Sequence, residues 1–209
     1  MARVIVSRPV WRRFLRKYAP DAALFVRAGG HAALVGSGDR VDALVGTQRG
    51  KLTELAEWAL LAIEQPRWRR VPSGPARGLA LARIPPDYAG SVLDWCDRDA
   101  VWPGPRRRLA LDCLACAACC HDMNVILDRD DIERWSEAGR SDLHGRAYVR
   151  RKRDGHLTLK LHDTGRCLHL RRDKRCGIYA LRPDNCRAFV IGSEACLAAR
   201  EDTLGLRDG

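Results

Sequence analysis

The stretch "LDCLACAACCHD", residues 111–122, places four cysteines in eight positions, two of them adjacent. Four more follow at 167, 176, 186 and 196, so eight of the nine cysteines lie beyond residue 112. A chain of 209 residues can bury a core without cross-links. The cysteine count is odd, and adjacent Cys119 and Cys120 make a poor disulfide pair because bridge geometry is demanding. Cysteines clustered in a reducing compartment more often hold metal. The alternative, a core helix using cysteine as a small apolar residue, does not account for eight of them. Cys96 stands apart in the helix-like "GSVLDWCDRDAVW" and reads as an ordinary buried thiol.

Direction is open at this level. On a helix Cys113, Cys116, Cys119 and Cys120 would share an arc of about 120°, and a tight loop around an inorganic cluster would suit the same spacing. Cys-x-x-Cys-x-x-Cys is the run that surrounds an iron–sulfur cube in bacterial ferredoxins, but their fourth cysteine comes three residues later and precedes Pro. Here it is immediate and precedes His121. Zinc also accepts paired Cys-x-x-Cys. Eight thiolates make two sites of four or one larger centre. Adjacent Cys119 and Cys120 could serve two different centres.

The rest of the composition narrows the function classes. Net charge is +11, of which +8 falls in residues 1–112, yet only five of 37 basic residues are lysine. Such an Arg-rich, Lys-poor chain reflects base composition as readily as a binding surface, so charge does not argue for nucleic acid. No run of eighteen apolar residues exists, so no membrane span is expected, and the first residues do not read as a secretory signal, which makes the cytoplasm the default. No Walker loop, Ser–His–Asp set or paired carboxylates stand out, so any catalysis would use the metal.

Periodicity and breakers predict an α+β chain. A helix is expected across "PVWRRFLRKYAP", a turn between two short strands at "ALVGSGDRVDALVG", helices over 51–65 and 87–98, and a strand at "LALARI". "WPGPRRR", 102–108, reads as a solvated boundary linker. It divides an N-terminal α+β region of unknown role, 1–108, from a small cysteine-rich domain organised by metal, 109–209. In the latter, Asp128 should cap a helix ended by Gly139. "HLTLKLH" should form a strand. "CLHLRRDKRCGIY" should form a hairpin that brings Cys167 near Cys176, and "SEACLAAREDTLGL" a last helix bearing Cys196.

The cysteine-rich half resembles the CxxCxxCC cysteine-cluster family, the YkgJ-type proteins described as zinc- or iron-chelating. The resemblance rests on Cys113, Cys116, Cys119, Cys120, Cys167, Leu170, Cys176, Ile178, Tyr179, Arg182, Pro183, Cys186, Arg187 and Phe189, with a similar tail around Cys196. One departure is Ala117, where many members have Gly. The resemblance covers residues 110–206 and implies metal ligation, with an iron–sulfur cluster (one or two [4Fe–4S]) or zinc as cofactor. Some members are labelled iron–sulfur oxidoreductases, and a related cluster occurs in flagellin lysine methylases. Three readings follow: electron transfer with an unidentified redox or protein partner, a zinc interaction module, or a cluster-dependent methyltransferase.

Around the eight candidate ligands, four residues are expected to tune the site. His121 adjoins the run and could donate from behind a ligand; His162 and His169 rank below it. Arg187 and Arg182 flank Cys186 and would offset thiolate charge. The competing role, packing and pairing with Asp184 and Glu194, is favoured for Arg182. Tyr179 and Phe189 are expected to form core that keeps water out.

Overall fold

The computed structural model of the protein describes residues 4–38 and 40–207. The fold is α+β and divides into two compact units. One is built mainly from Ile5–Ala110 with Gly192–Ala195, the other from Leu111–Ile191 with Cys196–Leu206.

The N-terminal unit is centred on a five-stranded sheet. In chain order its unit holds β1 (Val4–Pro9), β2 (Trp11–Leu15), α1 (Ala19–Arg27), β3 (His31–Val35), β4 (Val41–Val45), the small hairpin β5–β6 (Thr47–Gln48, Lys51–Leu52), α2 (Glu54–Leu61), β7 (Arg69–Arg70), β8 (Ala80–Arg83), α3 (Pro86–Asp99) and β9 (Arg106–Leu111). The sheet order is β2-β3-β4-β8-β7, with β2 and β3 parallel across the α1 crossover and the remaining pairs antiparallel. Successive side chains point to opposite faces, and both faces are covered. Ala33, Val41, Ala43, Ala80 and Ala82 meet α2 and α3 on one side, while Ala32, Leu34 and Leu44 meet α1 on the other. That double cover explains why all five residues of β4 are buried. Cys96 sits in this core, 5% exposed, and burial pushes its thiol up to about 12.

Two expectations for this half are corrected. The segment read as a helix from Pro9 to Pro20 is strand β2, followed by a single 3-10 turn at Arg16–Tyr18, and helix begins only at Ala19. The parallel partner β3 supplies hydrogen bonds that the local pattern does not show. The triple arginine is also no solvated linker: Arg106–Arg108 lie in β9, and Arg107 is buried with its Nη1 donating to Asp99 at 2.5 Å. Asp99 further accepts from the Trp11 backbone at 2.8 Å and from Arg98 at 2.9 Å, and Arg98 reaches Glu194 at 2.9 Å. Each buried charge therefore has an opposite partner, which is the condition for tolerating it inside a core. Glu194, 2% exposed, pairs there rather than with Arg182 or Arg187.

The C-terminal unit has little regular structure. It contains α4 (Cys113–Cys116), β10 (Ile126–Leu127), α5 (Arg129–Glu137), β11 (Val149–Arg151), β12 (Leu157–Leu159), α6 (Asp184–Arg187) and most of α7 (Glu194–Leu204). The strands form one antiparallel sheet in the order β10-β12-β11. Its core gathers Val125, Leu127, Trp135, Leu143, Val149, Leu159 and Ile178. Asp128 caps α5 through the Asp131 N–H at 2.8 Å, and the Asp131 carboxylate returns the bond to the Asp128 N–H at 3.3 Å, a full capping box.

Candidate metal centre

The cysteine run is two single turns with a sharp corner between them, not one helix. Asp112 caps the first turn, accepting from Leu114 N–H at 3.0 Å and Ala115 N–H at 3.3 Å. Ala117 then takes a left-handed conformation, φ 55° and ψ 13°, and a 3-10 turn over Ala118–Cys120 follows. The corner folds Cys119 and Cys120 back beside Cys113.

A second segment is pinned against this one. The Cys167 N–H donates to the Cys120 carbonyl at 2.8 Å, and His121 forms an antiparallel bridge with Arg166. From Cys167 the chain turns through residues 171–175, where the Arg171 N–H donates to Arg175 O at 2.8 Å, and returns with Leu170 bridged to Cys176. Cys167 and Cys176 thus stand at the two ends of a tight turn. A third segment carries Cys186 on α6. Helix α5 anchors it: Trp135 Nε1 donates to Leu181 O at 2.6 Å, and the Asp184 N–H donates to Asp131 Oδ1 at 2.9 Å.

These segments surround two adjoining cavities. Cys113, Cys119, Cys120, Cys167, Cys176 and Cys186 line the first, with Leu114, Met123, Val125, Leu159 and Ile178 as apolar wall. Cys113, Cys116, Cys119, Cys186 and Cys196 line the second. Cys120, Cys167 and Cys176 border the first alone, Cys116 and Cys196 the second alone, and three thiols border both. Among the described residues, no three Cys, His, Asp or Glu side chains already stand in metal-binding geometry. The thiols face shared space without closing on a point. Cys119 and Cys120 both face the first cavity, and hydrogen bonding to Cys120 holds the Cys119 thiol down at about 7. That partner hydrogen bond drives Cys120 upward. Burial raises Cys113, Cys167 and Cys176, and takes Cys186 up to about 12 with help from its neighbouring thiols.

Residues 112–202 match the CxxCxxCC family. Its description is "Putative zinc- or iron-chelating domain". No curated protein and no solved structure matches the chain. The CxxCxxCC match supports metal binding, and the donor set fits a thiophilic centre. A second observation agrees. His169, 8% exposed, lines the first cavity, and its buried Nε2 meets no hydrogen-bond partner among the described residues. A buried polar nitrogen rarely lacks a partner unless something else is meant to supply one.

The residues around the CxxCxxCC thiols fall out differently from their order in the sequence. His121 lines neither cavity, whereas His169, ranked below it, does. Arg182 borders both cavities and stacks 3.8 Å over the Tyr179 ring, and its charge partly opposes the burial that raises the thiols of Cys113, Cys176 and Cys186. Arg187 borders the second cavity, and its guanidinium holds Arg182 O at 2.8 Å and Ala180 O at 2.7 Å, with Asp184 at 3.8 Å. Arg182 also donates its Nε to Tyr179 O at 3.1 Å, so both arginines brace backbone carbonyls around the Tyr179–Leu181 turn. Tyr179 and Phe189 are half-buried cavity walls rather than closed core.

Ala117 explains its own oddity. The corner needs a left-handed residue, where glycine carries no penalty and a Cβ costs ~1–2 kcal/mol. The alanine methyl is buried, which offsets about 0.8 kcal/mol of that. Ala117→Gly should therefore fold with little change in stability, whereas β-branched Ala117→Val should lose roughly 2 kcal/mol. Denaturant titration of the two variants checks the contrast.

Proposed function

We propose that the C-terminal unit binds an iron–sulfur cluster and serves in electron transfer. The observation that carries this reading is the single cavity bordered by six thiols. A structural zinc ion needs four ligands converging on one point, whereas these thiols face shared apolar space without such convergence among the described residues, which suits a larger thiolate-held cluster. Cys120, Cys167 and Cys176, with one of the shared Cys113, Cys119 and Cys186, would supply the four thiolates of a centre, the other shared thiols standing beside Cys116 and Cys196. Cys116 and Cys196 would complete a second centre in the adjoining cavity or extend the first. When bound, the cluster supplies a one-electron couple.

The chain's own residues do the rest. The apolar wall limits water at the sulfurs. Arg182 brings one positive charge to a crowd of thiols that otherwise raise one another's proton affinity. His169 offers a buried ring nitrogen, and Trp135 and Asp131 fix the loop that carries Arg182 and Cys186. Charge and hydrogen bonding near the sulfurs set a cluster's potential.

Redox titration of anaerobically prepared protein tests the reading. A reversible one-electron couple is expected. Arg182→Gln should move it to lower potential, because a lost positive charge disfavours the reduced, more negative state. Arg187→Gln should move it less, because Arg187 borders the second cavity alone. A redox-silent preparation would overturn the proposal.

A further inference from the structure

We propose that the N-terminal unit carries a separate binding site for a small phosphorylated molecule, in the cavity bordered by Arg27, Arg49, Arg70 and Arg106. The cavity measures about 790 Å³, within the ~300–1,000 Å³ of small-ligand sites. Its four arginines come from four places: the end of α1, the β5–β6 turn, β7 and β9.

The charge on these arginines is not neutralised by the protein. Among the described residues, ion pairs engage other arginines and none of these four. Arg27 donates only to the carbonyls of Pro75 at 2.8 Å and Arg77 at 3.0 Å, and Arg106 to Ser7 Oγ at 3.2 Å. A second arginine cluster of this unit differs in kind. There Arg16, Arg40 and Arg83 converge on the buried carboxylate of Asp42, so the protein supplies its own anion. At the larger cavity the anion must come from outside. A phosphate group carries about −1.5 to −2 charge and accepts the planar guanidinium fork.

The walls suit close approach. Gly29, with φ 105°, leaves room for Arg106 to lie across it; a Cβ there would meet the Arg106 side chain at 2.9 Å. The start of α2 opens on the same space through Thr53, Glu54 and Leu55, adding the positive end of a helix. His31 also borders the cavity, but burial brings it down to about 4, so it stays neutral near pH 7 and leaves the charge to the arginines. Among the described residues Glu54 is the one carboxylate on the rim, and it opposes an anion.

Calorimetry with inorganic pyrophosphate and the full, metal-loaded chain tests the site. Saturable binding is expected, weakened about tenfold by Arg49→Gln or by Arg70→Gln, as loss of one charged hydrogen bond implies. Glu54→Gln should tighten it. Both arginines are exposed, so their loss spares the fold. Absence of saturable binding would overturn the proposal, as would binding undiminished in the Arg49→Gln/Arg70→Gln double variant, which would place the pyrophosphate at the metal domain.

Discussion

Cys120→Ser, Cys167→Ser and Cys176→Ser should each strip most of the bound metal and unfold the region around it, while Cys96→Ser should leave the metal content unchanged. The three border the first cavity and no other, and each comes from a segment pinned by backbone hydrogen bonds to its neighbour. Cys96 lies in the core of the other unit. Binding energy at a buried thiolate site is also folding energy. Structural zinc reaches ~10–16 kcal/mol in small domains, against ~5–15 kcal/mol for the net stability of a typical domain. A unit whose sheet has only short strands cannot absorb such a loss. Cys116→Ser and Cys196→Ser, which border the second cavity alone, should cost part of the metal and leave the rest bound. Metal analysis after anaerobic purification ranks the variants. If Cys96→Ser lost metal like the others, the division of the cysteines would be wrong. We further propose that chelation exposes residues 113–209 to protease before residues 1–100, a result that limited digestion of the whole chain would report.

Trp135→Ala should destabilise the C-terminal unit by ~3–5 kcal/mol, the usual cost of emptying a buried tryptophan site. Its side chain is fully buried, packs among Val125, Leu127 and Leu143, and ties down Leu181 through Nε1. Trp135→Phe should keep most of the packing and lose about 1 kcal/mol for the hydrogen bond. The distinguishing readout is amide exchange across residues 178–187. In Trp135→Phe that loop should exchange faster while β12 stays protected. Protection of the loop in Trp135→Phe unchanged from that of the parent chain would show that Trp135 does not hold it.

How much of this was written in the sequence depends on where the partners lie. The Asp128 cap, the helix it starts and the turn between Cys167 and Cys176 are local devices, built from residues a few positions apart, and they were legible. So was the cysteine pattern that residues 112–202 share with the CxxCxxCC family. The failures all involve partners far along the chain. Trp11–Leu15 looks helical beside Arg12, Arg13, Arg16 and Lys17, and becomes a strand because β3 pairs with it in parallel. Arg107 looks solvated until Asp99 is seen beside it. Arg182 and Arg187 both flank Cys186 in sequence and both hold backbone carbonyls near the turn over Tyr179–Leu181, but Arg182 borders both cavities and Arg187 only the second. His121 is next to the run in sequence and is drawn into the bridge with Arg166; His169 is 49 positions from Cys120 and borders the cavity. Adjacency along the chain was a poor guide to adjacency around the site.

The most direct test of the central claim is iron and acid-labile sulfide per chain in protein purified without oxygen, read with its visible spectrum. An iron–sulfur centre held by the shared thiols predicts a brown protein with iron and sulfide in near-equal amounts, both lost together in Cys120→Ser. A colourless protein with tightly held zinc and no sulfide, even after reconstitution with iron and sulfide, would contradict it.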